Sequence, residues 1–344
     1  MSAVQAWLDV MPGETRAIIA REGRFERLII HRDDDAPGHR LGARVIGRVA
    51  AVEPSLGGAF VDIGHGPPFA FLPLKAGERA AQGARIEGVI VSEPRASKGP
   101  VLRLVGPAEG EPRLLAPGPD MAALLRAHAP DATPITGVEA IQAAWDAEEE
   151  ALSGGELFAE QGVDLAVERT RAMIAVDVDY VGARGRDPKR DRARANLFAL
   201  HQAARMIRLK NWGGLVSVDL AGNRHDGEAL SRAARQAFAP DGDVVIGPVT
   251  RFGVMQLSLP WTQKPVEERL NDPAGRPSLA TRALDVVRRL NHAALSDRSI
   301  PSLVARCAPD EAEIAAPLAA RLGPRTRVEA HAGAPPGQAT IEES

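Results

Sequence analysis

Two apolar runs that each deliver an aspartate constrain this chain more than any other feature. The first is Met173-Ile174-Ala175-Val176-Asp177-Val178-Asp179, and the second is Gly213-Gly214-Leu215-Val216-Ser217-Val218-Asp219. Short apolar runs of this length read as buried strands. Between them Ala193, Leu197, Leu200, Ala204 and Ile207 recur at helical spacing, and Asn211-Trp212-Gly213-Gly214 supplies a natural helix stop. Strand–helix–strand is a crossover unit, which can set the two aspartates on neighbouring strands. A carboxylate at the C-terminal end of a buried strand is where α/β enzymes hold a hard cation against a phosphate. The plainer reading is a pair of strand-end aspartates capping the helices that follow.

Around this core the pattern changes character. Residues 45–52, 59–63, 69–72, 86–92 and 101–104 are short strand-like runs separated by turn residues, the rhythm of a small closed barrel of the OB type. Residues 17–20 and 25–30 read as a strand pair before it. From 106 to 155 prolines break the rhythm, and only 141–152 reads as a helix, so the segment is expected to be a connector. After 156 a helix is expected over 228–238, with strands over 244–246 and 254–259. Beyond Pro265 there is an amphipathic stripe of Leu279, Ala283, Leu284, Val287, Leu290 and Ala294, then a strand over 325–332.

Charge and cysteine content exclude several classes. The 344 residues carry a formal net charge of −3, so any nucleic-acid surface must be a local patch. The stretch 182–210 is such a patch, with nine Lys and Arg against two Asp; a solvated helix face is its plainer reading. One cysteine, Cys307, excludes an internal disulfide framework and a Cys-rich zinc site. No apolar run approaches the ~20 residues of a membrane span, and a cytoplasmic protein is expected.

The segment Gly47-Arg48-Val49, then Glu53-Pro54-Ser55-Leu56-Gly57-Gly58-Ala59-Phe60-Val61-Asp62-Ile63-Gly64, ending in Phe71-Leu72-Pro73-Leu74, resembles the S1 RNA-binding domain of the ribonuclease E/G family. Trp212 to Asp219 is similar to that family's Gly-Gly-Leu-Ile-Val-Ile-Asp strand. Thr250-Arg251-Phe252-Gly253-Val254-Met255-Gln256-Leu257-Ser258 is similar to its Ser-Arg-Phe-Gly-Leu-Leu-Glu-Met-Ser run. The resemblance covers residues 14–105 and 155–260.

What this resemblance implies is an α+β multidomain chain. A ribonuclease H-like subdomain, opening over residues 1–40, is interrupted by an S1/OB β-barrel (41–105). A shortened connector (106–155) stands in place of a 5′-end sensor, followed by a DNase I-like α/β catalytic subdomain (156–262). A small, partly disordered C-terminal α/β tail (263–344) completes the chain. The implied activity is a magnesium-dependent endoribonuclease acting on single-stranded RNA in processing or decay, with manganese an acceptable substitute. The family's metal-binding aspartates fall on Asp177 and Asp219. Its usual Asn two residues after the first is Asp179 here, read either as an additional catalytic carboxylate or as the mark of a weakened, RNA-binding relative. The family's paired zinc-link cysteines are missing from 262–278, so no zinc is expected, and any homo-oligomer would form without that link.

The RNA-binding residues expected are Phe60 and Phe71 for base stacking, with Lys98, Arg184, Arg186, Lys189, Arg190 and Arg251 for phosphates. Barrel core is the commoner role of a strand phenylalanine, and Lys98 also reads as an ordinary turn lysine.

Overall fold

The computed structural model describes residues 4–75, 77–182 and 188–343. The chain divides into two compact units. The first comprises Met1–Arg24, Leu28–Glu148 and Gln263–Ser344; the second comprises Phe25–Arg27 and Glu149–Thr262.

The N-terminus forms an antiparallel sheet of β1 (Val4–Met11), β2 (Glu14–Arg21) and β3 (Arg24–Arg32), in that order. The strand pair expected over 17–20 and 25–30 is β2 and β3; β1 is additional. A barrel follows, built from β4 (Arg44–Glu53), β5 (Gly58–Asp62), β6 (Ala70–Pro73), β7 (Arg85–Ser92) and β8 (Val101–Pro107). All five coincide with the expected runs. Strand β4 pairs with β7 through its first half and with β5 through its second, with a register shift between Val49 and Ala51. An irregularity of this kind bends a strand enough for it to serve two neighbours. The parallel contact of β6 with β8 at Phe71 and Val101 closes the ring. Val45, Val49, Val61, Leu72, Ile90 and Leu102 fill it.

The proline-rich segment is more regular than its composition suggests. Strand β9 (Arg113–Ala116) adds to β4. Helix α1 (Met121–His128) starts at Asp120, whose carboxylate accepts from the Ala123 N–H at 2.7 Å, a standard N-cap. Met121 and Leu125 of α1 pack on Ala6, Ile19 and Ile29. Helix α2 (Val138–Leu152) follows.

The second unit is a six-stranded sheet with two helices. Its strands are β10 (Gly155–Phe158), β11 (Val163–Arg169), β12 (Ile174–Tyr180), β13 (Gly214–Asp219), β14 (Val245–Ile246) and β15 (Val254–Leu259). Their order is β10-β11-β12-β13-β15-β14. The strands β12 and β13 are parallel and joined through helix α3 (Pro188–Leu209). Helix α4 (Gly227–Ala237) connects β13 to the last hairpin. Val176, Val178, Val216 and Val218 from the sheet share one core with Leu200, Ala204 and Ile207 of α3 and Leu230 and Ala234 of α4. At the α3–β13 junction Gly214 has φ +95°, and a Cβ on Gly213 would stand 2.6 Å from the Pro260 carbonyl oxygen. Both positions therefore demand glycine.

The C-terminal segment is built of regular elements. It carries α5 (Val266–Leu270), α6 (Leu279–Ser296), β16 (Leu303–Cys307), α7 (Pro309–Ala319), β17 (Thr326–Ala330) and β18 (Thr340–Glu343). Strand β16 lies between parallel β17 and antiparallel β18. The apolar stripe of α6 packs on β16, α7 and Met11, which gives this segment a core of its own. Cys307 is buried there, and burial with the nearby Glu311 and Asp310 charges pushes its thiol up to about 11. Such a thiol stays protonated and inert at neutral pH. Among the described residues no helix is long and apolar enough to cross a membrane.

His31, on β3, is held neutral. Its burial first, and then the Arg40 and Arg269 charges, against an opposing Asp35, bring it down to about 4. A histidine with a depressed folded pKa takes up protons first in the unfolded chain. Stability of the first unit is therefore expected to fall as pH drops from about 6.5 toward 4 and to level below that. The loss is on the order of 3 kcal/mol. Urea unfolding across this range checks it: His31→Gln should flatten the slope, and an unchanged slope would remove His31 as its source.

Candidate functional site

The open face of the second unit's sheet gathers carboxylates, and strand parity is the reason. Along β12, Ile174, Val176 and Val178 are buried while Ala175, Asp177 and Asp179 are exposed. Along β13, Val216 and Val218 are buried and Asp219 is exposed. One face packs on helices, so every second residue must point the other way. The parallel register pairs Asp177 directly with Asp219. The two aspartates expected to sit on neighbouring strands do so, Asp219 at the C-terminal end of β13 and Asp177 opposite it, midway along β12.

Two further carboxylates share this face. Asp179 lies two residues along β12, and the antiparallel register of β11 sets Asp164 opposite it. Asp164 is exposed and was not singled out from sequence, although Val163-Asp164-Leu165-Ala166-Val167 alternates cleanly. The crowding is felt at Asp177. Partial desolvation first, then the Asp179 and Asp219 charges, with a smaller contribution from Asp164, push its carboxyl above its ordinary value. Among the described residues no three or more Asp, Glu, His or Cys side chains form a ready-made cage for a metal ion. A pair of adjacent carboxylates completed by water is nevertheless what magnesium ordinarily takes from a protein. The hard-oxygen donors at Asp177 and Asp219 fit that requirement, and a cation there would offset the repulsion felt at Asp177.

The flanking loops are fixed by specific bonds. After Asp219, the Leu220 N–H donates to the Gly253 carbonyl at 3.2 Å. The buried Asn196 side chain of α3 donates to the Ala221 carbonyl at 3.1 Å and accepts from the Ala221 N–H at 2.9 Å. Asn196 escaped the sequence reading; its only signal is an amide beside the apolar stripe of α3. In the β13–β15 register Asp219 faces Val254, so the turn holding Arg251 lies at the same end of the sheet. The Arg251 guanidinium stands 4.7 Å from the Phe252 ring centroid, and Phe252 is 74% exposed.

The basic stretch divides into two. Lys189 and Arg190 are exposed at the start of α3, as a phosphate-binding role needs. Arg184 and Arg186 lie outside the described residues. The far end of the stretch is structural, which corrects the reading of one continuous stripe. Arg205 donates to Glu156 at 2.9 Å and to Glu150. Arg208 donates to Glu26 and Asp241, both at 2.6 Å. The Lys210 ammonium donates to the carbonyls of Ala151 and Ser153. All three cations are buried, and buried charges require such partners.

On the barrel, strand parity again decides. Ala59 and Val61 of β5 and Ala70 and Leu72 of β6 point into the core, so Phe60 and Phe71 must point outward. They are register partners, half-buried, with ring centroids 5.7 Å apart, edge to face. The core reading of these phenylalanines is thereby excluded. Both line a groove of about 720 Å³ together with Leu56, Phe69, Arg95 and Lys98. The three barrel residues named from sequence thus share one groove; Phe69 and Arg95 are its additions. An aromatic floor with cations at the rim is the arrangement that holds single-stranded nucleic acid with little sequence preference.

The profile of the Ribonuclease E/G family matches residues 135–260. Ribonuclease E of Haemophilus influenzae is 32% identical over 102 residues, covering 28% of this chain and 11% of that protein. Ribonuclease E of Escherichia coli is 30% identical over 102 residues, covering 28% of this chain and 10% of that protein. The alignments thus span about a tenth of the length of these relatives. Asp177, Asp219 and Arg251 all lie inside the matched segment, so the part of the chain that holds the candidate site is the part similar to the ribonuclease E/G family.

Proposed function

We propose that this protein is an endoribonuclease that cuts single-stranded RNA at the Asp177–Asp219 pair, with magnesium or manganese as its cofactor. The observation that carries the reading is the register of β12 and β13, which brings the two family-matched aspartates side by side on an exposed face. When bound between such carboxylates, a divalent cation polarises a phosphodiester and makes water more acidic. The protein's own contribution is distinct. Asp177 and Asp219 supply the negative charge that recruits the cation, and their strands fix its place. Lys189, Arg190 and Arg251 attract the RNA backbone toward that face. In the barrel, Phe60 and Phe71 stack bases while Lys98 meets a phosphate.

The finer layout belongs to the same reading. It comprises a ribonuclease H-like segment at 1–40, an S1 barrel at 41–105, a connector at 106–155, a DNase I-like subdomain at 156–262 and a small C-terminal domain, in a cytoplasmic protein. Any homo-oligomer forms without a zinc link.

The test is an end-labelled A/U-rich single strand incubated with the purified chain in magnesium and in chelator. Magnesium-dependent internal cuts, with a 5′-phosphate on the downstream fragment, are expected. An intact strand in magnesium would sink the proposal. Phe71→Ala is expected to weaken single-strand binding by roughly 5- to 100-fold, the worth of one stacked base. Fluorescence anisotropy reads this, and unchanged affinity would rule out the groove as an RNA-binding surface.

A second reading has one observation in its favour. Asp179 sets a like charge on the face of Asp177, opposite Asp164, where the family resemblance implies an asparagine. An ionised carboxylate cannot donate a hydrogen bond to orient its neighbour. A weakened, RNA-binding relative would cut slowly as isolated and faster after Asp179→Asn.

A further inference from the structure

A pocket of about 200 Å³ lies in the second unit, between the start of α3 and the loop that follows Asp219. Lys189, Arg192, Asn196, Asn223, Arg224 and His225 are among the residues that line it. Neither the aspartate pair nor the barrel groove uses it. We propose that this pocket binds one backbone phosphate of the RNA, next to the phosphate that is cut. The inference rests on the endoribonuclease reading and extends it by a subsite.

Charge is the first argument. Two exposed cationic side chains, Lys189 and Arg224, meet at the pocket with one carboxylate, Asp226. That carboxylate is already engaged as the N-cap of α4, accepting from the Ala229 N–H at 3.0 Å. The surplus positive charge suits an anion. Size is the second. The pocket falls below the ~300–1,000 Å³ of ordinary small-molecule sites, so it suits a phosphate group better than a whole nucleotide.

Construction is the third. The loop is clamped by Asn196, which is 2% exposed and bonds both polar atoms of the Ala221 backbone. A His225 ring nitrogen stands 3.0 Å from the Gly222 carbonyl oxygen. Gly222, at φ +94°, brings the loop against the Arg192 side chain, whose Cδ would lie 3.5 Å from a Cβ there. These bonds fix a cationic concavity two to six residues beyond Asp219. Position is the fourth argument, because this loop leaves β13 directly after Asp219, the last residue of that strand.

The test uses the full chain and a short single-stranded RNA with one uncharged methylphosphonate, moved one linkage at a time. In the wild-type chain, neutralising one linkage beside the cut should weaken binding about tenfold. Arg224→Ala should weaken the unmodified RNA by a similar factor and add little on the neutralised one. It should also lower the slope of log affinity against log salt by about one, while Arg224→Lys keeps that slope. Arg224 is exposed, so an unchanged melting temperature is expected. If Arg224→Ala and Lys189→Ala leave affinity, slope and methylphosphonate profile as in the wild type, the pocket is not a phosphate site. RNA bound with these effects but never cut would keep the pocket and discard the nuclease reading. Cutting with no effect at Arg224 would do the reverse.

Discussion

Asp219→Asn and Asp177→Asn are each expected to lower single-turnover RNA cleavage by about a thousandfold or more. RNA affinity should stay within about twofold, because Phe60, Phe71 and the exposed basic residues are untouched. Asparagine keeps the size of aspartate and removes its charge. On the proposed reading charge is what these side chains contribute, since the pair would recruit a hard cation that a neutral amide holds poorly. The substitutions should cost little stability. Both side chains are exposed on the sheet, and exposed substitutions usually lie within about ±0.5 kcal/mol. Cleavage by Asp219→Asn at a tenth of the wild-type rate or faster would assign the chemistry elsewhere.

Glu14→Gln carries the largest expected effect on stability. The Glu14 side chain is fully buried. It accepts from Arg16 at 2.7 Å, from Arg32 at 2.8 Å and from Arg288 at 2.8 Å. Burial alone would raise its pKa. The attraction of Arg16, Arg288 and Arg32, with the Arg32 hydrogen bond, wins and holds the carboxyl far below the usual range. Arg288 also pairs with the buried Asp9 at 2.8 Å, and Arg16 with Glu148. Neutralising Glu14 leaves three buried guanidiniums sharing two carboxylates. Removing one member of such a cluster typically costs ~3–5 kcal/mol. The urea midpoint of the first unit should fall accordingly, whereas Glu329→Gln at the exposed Arg306 pair should leave it nearly unchanged. Equal, small losses at both positions would refute the central role of Glu14. The Glu14 contribution is also pH-dependent in a defined direction. A depressed carboxyl stabilises fully above its unfolded value of ~4.3 and loses that stabilisation as pH falls toward its folded value.

How legible the fold was depended on whether a segment's partners lie close in sequence. The five barrel strands were readable because each alternates or runs apolar between turn residues, and strand parity then set Phe60 and Phe71 outward. The crossover unit was readable because the helical stripe from Ala193 to Ile207 separates two apolar runs. Strand β1 was not, because Asp9 is buried in it against Arg288, 279 residues away, and an acidic residue at a core position breaks the pattern. Helix α1 was hidden by flanking prolines, although Asp120, Met121 and Leu125 are a cap and an i, i+4 core pair.

The site was legible to the same degree. Asp177 and Asp219 were visible as carboxylates delivered by apolar runs. Asp164 depends on the β11 register, which no local pattern states. The basic stretch misled because Glu26, Glu150, Glu156 and Asp241, which neutralise Arg205 and Arg208, lie 33 to 182 residues away. A stretch that looks uniformly cationic in sequence therefore commits Arg205, Arg208 and Lys210 to its own fold.

Whether Asp177 and Asp219 form one catalytic centre is decided by a double-mutant cycle on single-turnover RNA cleavage, comparing Asp177→Asn, Asp219→Asn and the double variant in magnesium. Two carboxylates that act as one centre lose their function together. The double variant is therefore expected to cleave about as slowly as either single one. Losses that multiply, or a single variant that retains most of its rate, would contradict a shared centre.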